Sequence, residues 1–242
     1  MATALVSGGG RGIGRAVSLR LAAEGHDVAV GYAVDGAAAE RVCEAIRSGG
    51  GRAEAIGADL STPDGADALL DRAQAALGPV GILIANAGVA AQPTGIAGIT
   101  NEQWEEMLAI NLRAPFLLTR RLVPAMAAAG FGRVVLISSI AAYTGGLVGA
   151  HYAASKAGLH GLAHSLARET AGRGVTVNVV APALIDTDMI PADPAIRAAL
   201  AQGTPVGRLG DPEDVADLVC AVARNSYLTG QSIPLDGGRH PT

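Results

Sequence analysis

Seven short apolar runs recur along this chain, at 3–7, 26–32, 53–57, 80–85, 133–138, 175–180 and 231–235. Helical patterning fills most of the intervals, at 36–48, 63–77, 100–128, 150–172 and 211–223 among others. Brief apolar runs of this kind read as strands buried on both faces. Strands joined through helices pair in parallel, because an antiparallel neighbour needs only a hairpin. The alternation therefore predicts one α/β domain over residues 1–242: a doubly wound, seven-stranded parallel sheet with helices on both faces. No linker or internal repeat interrupts it. Half of the residues are hydrophobic but only 3% are aromatic, so the core is expected to be Ala, Val, Leu and Ile. Trp104, at helical spacing with Met107, Leu108 and Leu112, is expected in that core.

In such sheets ligands bind beyond the carboxyl ends of the strands, and the polar residues of interest collect there. The first strand runs into Gly8–Gly14 (GGGRGIG) and then into a helix on which Ile13, Val17 and Leu21 share a face. Glycine allows a tight turn and a close approach, and a helix start offers free N–H groups, so this turn suits a phosphate. The spacing is neither G-x-G-x-x-G nor a P-loop. The second strand ends Gly31-Tyr32-Ala33 with no carboxylate before Asp35, while Arg11 sits in the glycine-rich turn. An acid would repel a 2′-phosphate and an arginine would attract one, which favours NADP(H) over NAD(H); a solvated loop arginine is the plain alternative. Asp59 follows the third strand, where it either accepts from an adenine amino group or caps the next helix with Ser61. Asn86-Ala87-Gly88 follows the fourth. Asn111 lies mid-helix between apolar neighbours, either facing solvent or holding a water or side chain inside.

Lys156 is the only lysine among 18 Lys and Arg residues. An ammonium is a compact point charge, unlike the guanidinium fork. It stands four residues after Tyr152, on one helical face, where it is expected to lower the phenol's pKa toward general acid–base use. Ser138 and Ser139 end the preceding strand. Residues 188–206, rich in proline, read as an irregular, mobile lid.

The composition also excludes. The net charge is −4 with no basic block, which argues against nucleic acid. Every apolar run is interrupted by Gly or charge, so no membrane span is expected. Cys43 and Cys220 lie far apart, and with no signal-peptide pattern they suggest a reducing cytoplasm. His160 and His164 have zinc-like spacing but no third ligand, so no metal is expected and both are placed at the surface or a subunit contact. His151 and Tyr143 are placed beside the pocket, touching substrate or serving only as loop residues.

Taken in order, Ser7-Gly8-x-x-x-Gly12-Ile13-Gly14, Asp59, Asn86-Ala87-Gly88, Asn111, Ser139, Tyr152-x-x-x-Lys156 and Ala181-Pro182 resemble the classical short-chain dehydrogenase/reductases over essentially the whole chain. HYAASKAGLHGLAHSLARE, GVTVNVVAP, DTDM and GRLGDPEDVA resemble the 3-oxoacyl-[acyl carrier protein] reductase branch. The resemblance implies a Rossmann-type fold and reduction of a ketone by NADP(H), with a 3-oxoacyl thioester on carrier protein or CoA as substrate. A polyketide, sugar or other small ketone is the rival substrate, and a non-catalytic NADP-binding sensor the rival class. It implies Tyr152 as proton donor, Ser139 as hydrogen-bond donor to the same oxygen, Lys156 on phenol and ribose, and Asn111 fixing a connecting water. Ser7, Gly8, Arg11, Gly12, Ile13, Gly14, Tyr32, Asp59, Leu60, Asn86, Gly88, Tyr152, Lys156, Pro182, Ile185 and Thr187 would line the cofactor. A homotetramer built on the catalytic helix and its predecessor is also implied. Ser7 replaces the family's usual Thr. Ala183 replaces the Gly that usually follows Pro182, and its Cβ is expected to crowd the pocket or alter the turn.

Overall fold

The structure, a computed structural model, describes residues 1–240. Its strands are β1 (Thr3–Ser7), β2 (Asp27–Tyr32), β3 (Ala53–Gly57), β4 (Val80–Ala85), β5 (Gly132–Ile137), β6 (Val175–Pro182) and β7 (Ser232–Leu235). They form one sheet in the order β3-β2-β1-β4-β5-β6-β7, and every pair is parallel. The order reverses between β1 and β4, which is where such a sheet opens a crevice for a ligand.

Alternate residues of each central strand feed opposite layers. Leu5, Ala29, Leu83 and Leu136 pack with α3 (Pro63–Leu77), α5 (Ala114–Ala129) and α7 (Ala150–Thr170). Val6, Val30, Ile84 and Val135 pack with α1 (Gly12–Ala23), α2 (Gly36–Ser48) and α9 (Pro212–Arg224). The one amide inside β6, Asn178, is fully buried and satisfied: it donates to Leu228 O at 2.8 Å and accepts from Gln231 N at 3.1 Å.

Three local expectations are revised. The helix expected over 100–128 is α4 (Asn101–Leu108), a π-helical turn (Ala109–Arg113) and α5. The wider turn carries one extra residue and rolls Asn111 inward. Trp104, expected in the core, is more than a third exposed on α4. The stretch expected to be irregular to 206 contains α8 (Pro194–Gln202), with Pro194 at its start and Asp193 accepting from Ala195 N at 2.8 Å. Proline there starts a helix because its missing N–H would have no helical partner anyway. The remaining helix, α6 (Ala141–Thr144), is one turn long and follows Ser139.

Candidate active site

The carboxyl edge of β1, β2 and β4 opens into a cavity of about 630 Å³. Its wall carries Gly8, Arg11, Gly12, Ile13, Gly14, Tyr32, Asp59, Leu60, Asn86, Gly88 and Thr187. The glycine-rich turn is folded back on itself: a Cβ on Gly14 would stand 2.0 Å from Gly8 O, so no side chain fits there. Arg11 precedes α1 without a side-chain cap, and the first turn of α1 holds no acid. By contrast α2, α3, α4 and α8 are capped by Asp35, Thr62, Thr100 and Asp193. An uncapped helix start facing a cavity suits an anionic group.

The flanking turns are tied beneath this wall. Asn86 Nδ2 donates to Ser7 O at 3.1 Å and Gly8 O at 3.0 Å. Ser7, expected on the cofactor wall, stands behind it: its Oγ accepts from Asn86 N and Ala87 N, both at 3.0 Å, and the residue is buried. The hydroxyl binds two backbone donors instead of a ligand. Asp59 lines the cavity, and its Oδ1 accepts from Ser61 N at 2.9 Å; the Ser61 hydroxyl first, and then this N–H, hold the carboxyl below its ordinary pKa. The cap of α3 is Thr62, not Asp59 with Ser61. Tyr32 lies against Gly36 and Gly57, where an added Cβ would come within 3.0 Å of its ring. Ile185 differs from expectation, since its side chain is buried in the core under Gly210. Pro182 is buried too, and its carbonyl accepts from Ile140 N at 2.9 Å. Ala183 fits without strain: its N–H reaches Leu235 O at 3.0 Å, and no non-glycine residue among those described has a positive φ.

None of the catalytic candidates Asn111, Ser139, Tyr152 and Lys156 lines this cavity; Lys156 and Asn111 stand next to it through Gly88, which does. Tyr152 and Lys156 are both buried on α7. Lys156 Nζ donates to Ile137 O at 2.9 Å and lies 5.9 Å from the Tyr152 ring centroid. Asn111 is 0% exposed. Its Oδ1 accepts from Val89 N at 2.9 Å, and its Nδ2 donates to Val89 O at 3.0 Å and Ser155 Oγ at 3.1 Å. Both side chains converge on Gly88, whose Cβ would stand 3.2 Å from Lys156 Nζ and 3.2 Å from Asn111 Oδ1. Ser139 follows β5, and its Oγ accepts from Ala141 N at 3.1 Å.

Burial dominates the electrostatics. It pushes the Tyr152 phenol above its ordinary pKa, opposed by the Ser139 hydroxyl. It pushes the Lys156 ammonium down to about 8. The expected net lowering of the phenol is therefore absent in this state, because desolvation penalises both charged forms. The surroundings of Tyr152 are apolar: Met107, Ala141, Val89, Ala90, Ala91 and Val148.

His151, expected beside the pocket or as a loop residue, is a buried residue in the first turn of α7. His151 is 1% exposed with Nδ1 unpartnered. His160 is half-buried, with Nε2 2.9 Å from Ser138 Oγ and the Tyr143 ring packed edge-on at 5.0 Å. Sequence reasoning missed Val89 and Ser155, the partners of the Asn111 amide. Ser155 neighbours Lys156 in the chain; Val89 acts through its backbone, which leaves no residue-type signal. Among the described residues no cluster of three metal-ligating side chains occurs, and no helix is long and apolar enough to cross a membrane.

A family model described as short chain dehydrogenase matches residues 2–195. The 3-oxoacyl-[acyl-carrier-protein] reductase of Pseudomonas aeruginosa is 35% identical over 240 residues, covering 98% of this chain and 96% of the relative. The enzyme of the same description from Synechocystis is 37% identical over 241 residues, covering 97% and 95%. Among solved structures, a blue fluorescent protein from a metagenomic library in complex with NADPH gives a TM-score of 0.92 at 37% identity, over 99% of this chain and 98% of that one. A short-chain dehydrogenase/reductase from Serratia marcescens also gives 0.92, at 36% identity, over 98% and 97%.

Proposed function

The chain belongs to the short-chain dehydrogenase family, an oxidoreductase family acting on CH–OH and C=O groups, and from that premise we propose that it reduces the ketone of a 3-oxoacyl thioester with NADPH. The observation that carries this reading is the convergence of Lys156 and Asn111 on Gly88, which lines the cavity of about 630 Å³ together with Val89 and Ala90, the residues packed against Tyr152. The wall fits the cofactor: the uncapped start of α1 for the pyrophosphate, Asp59 and Leu60 for adenine, Asn86 and Gly88 for ribose, and Thr187 facing Gly12 across the mouth. Bound there, NADPH supplies the hydride that reduces a carbonyl carbon.

The protein supplies the proton and the field. The buried Tyr152 phenol, held above its ordinary pKa, remains protonated at neutral pH and donates to the developing alkoxide. Ser139 donates to the same oxygen, so charge forms against a donor already in place. Lys156 is mostly charged at pH 7 and favours the anionic phenolate left behind. Asn111 keeps the π turn and the Val89 loop together beside Lys156, where a water can return the proton. The apolar surroundings of Tyr152 suit an acyl chain better than a sugar. The reading extends to a homotetramer through α5 and α7, with Phe116 of α5 exposed; light scattering tests it.

The deciding experiment is NADPH oxidation with acetoacetyl-CoA beside a panel of cyclic ketones and sugars. Turnover of the acyl substrate is expected to dominate. No acyl turnover with rapid turnover of another ketone would reject the substrate class, and no turnover of any would favour a binding protein over an enzyme.

A further inference from the structure

We infer that His160 is a positioning residue of the reaction, holding the Lys156 turn of α7 against the end of β5 through the hydroxyl of Ser138. This rests on the catalytic reading above and adds a residue that lies outside the cofactor cavity. Two bonds clip α7 to the end of β5. Lys156 Nζ donates to Ile137 O, and Ser138 Oγ donates to Lys156 O, both at 2.9 Å. Ile137, Ser138 and Ser139 are consecutive, so these bonds set where Ser139 stands relative to Lys156. Ser138 is buried, and its N–H is committed to Val180 O at 2.8 Å, so the strand end itself is fixed.

The loose part of this clip is the hydroxyl, which rotates and carries a single proton. His160 removes that freedom. Its Nε2 lies 2.9 Å from Ser138 Oγ. Lys156 O is a carbonyl and only accepts, so the hydroxyl proton belongs to that bond and Nε2 carries the hydrogen of the other. Both directions are thereby determined: His160 donates to Ser138, and Ser138 donates to Lys156. Donation into a hydroxyl strengthens the bond that the hydroxyl makes onward. Burial first, and then His164 one turn on, hold the imidazole below its ordinary pKa, so the ring is neutral at pH 7. The ring is itself held in place. Tyr143 of α6 packs edge-on against it at 5.0 Å, and His240, past the end of β7, lies 6.0 Å from the other side of the contact at Tyr143. His160 follows Lys156 by four residues, as Lys156 follows Tyr152, so one stripe of α7 carries all three.

The test measures kcat and KM at saturating NADPH, with acetoacetyl-CoA or with whichever ketone of the panel above the native chain reduces fastest. Melting curves check that each variant is folded. His160→Leu and His160→Phe remove the donor, and phenylalanine keeps a ring against Tyr143. Both should lower kcat about tenfold with KM within about twofold of native, as a small misplacement of catalytic groups does. His160→Gln, whose amide N–H can reach the same hydroxyl, should return kcat to within about threefold of native. In a Ser138→Ala background, His160→Leu should cost less than about twofold more, because residues that act through one another are not additive. If leucine unfolds the chain, phenylalanine takes its place in both comparisons. A native kcat in the phenylalanine variant would overturn the positioning role and leave the proposed function standing. Equal losses in the glutamine and phenylalanine variants would overturn it as well, as would costs that multiply in full in the double variant. If the native chain reduces no ketone, the catalytic reading fails and the positioning role with it.

Discussion

Lys156 Nζ and Asn111 Oδ1 each lie 3.2 Å from the point where Gly88 would carry a Cβ. The position is glycine because a methyl group would press on the ammonium and the amide together. Gly88→Ala should therefore displace one of them by a few tenths of an ångström and lower kcat about tenfold, since misplacement of catalytic groups by about 1 Å can cost 10²-fold. Steady-state kinetics with saturating cofactor checks it, and an unchanged kcat would mean that the contact has no catalytic consequence.

Lys156→Arg keeps the charge but replaces a compact ammonium with a planar fork inside a buried site. Turnover should fall to about 10⁻³ of native or less, within the range of general acid–base catalysis. A native rate in this variant would undo the assignment of Lys156.

The pH dependence follows from the same lysine. Its pKa in the fold is about 8 against an ordinary 10.5, so it loses its proton earlier than in the unfolded chain. The unfolded state binds more protons between those values, and stability therefore rises with pH across that window. Lys156→Met should be more stable than native below about pH 8, with the advantage shrinking toward about pH 10.5; denaturant titrations of both proteins read it. In the free enzyme kcat/KM for ketone reduction should fall on the alkaline side of about pH 8. A flat profile to about pH 10 would contradict a charged Lys156 in the working form.

Ser7 acts in stability. Ser7→Ala leaves Asn86 N and Ala87 N without their acceptor and should cost about 1–3 kcal/mol in urea unfolding. Ser7→Thr retains the hydroxyl and should lie within about 1 kcal/mol of native. Equal stabilities for the alanine and threonine variants would show that water satisfies the two donors.

Much of the site was readable from local pattern. Strand ends, glycine turns and the four-residue step from Tyr152 to Lys156 are properties of neighbouring residues, so they survive without tertiary information. The inward turn of Asn111 was not readable, because a 3.6-residue period assumes a regular helix and a π turn breaks it. α8 was obscured by prolines that look like breakers, although Pro194 begins the helix. Ser7 looked like a ligand contact because residue type does not reveal where a hydroxyl points.

By itself the sequence determined the alternation of strands and helices, the edge at which polar residues gather, and the chemical types assembled there. Hydrophobic period and glycine placement act over a few residues, and they are enough for that. Only the tertiary structure decided that Lys156 and Asn111 meet at Gly88, that burial moves the pKa values of Tyr152 and Lys156 in opposite directions, and that His160 reaches the Ser138 hydroxyl. Those outcomes depend on which layers pack together and how far water is excluded, and both are set by contacts between residues distant in the chain.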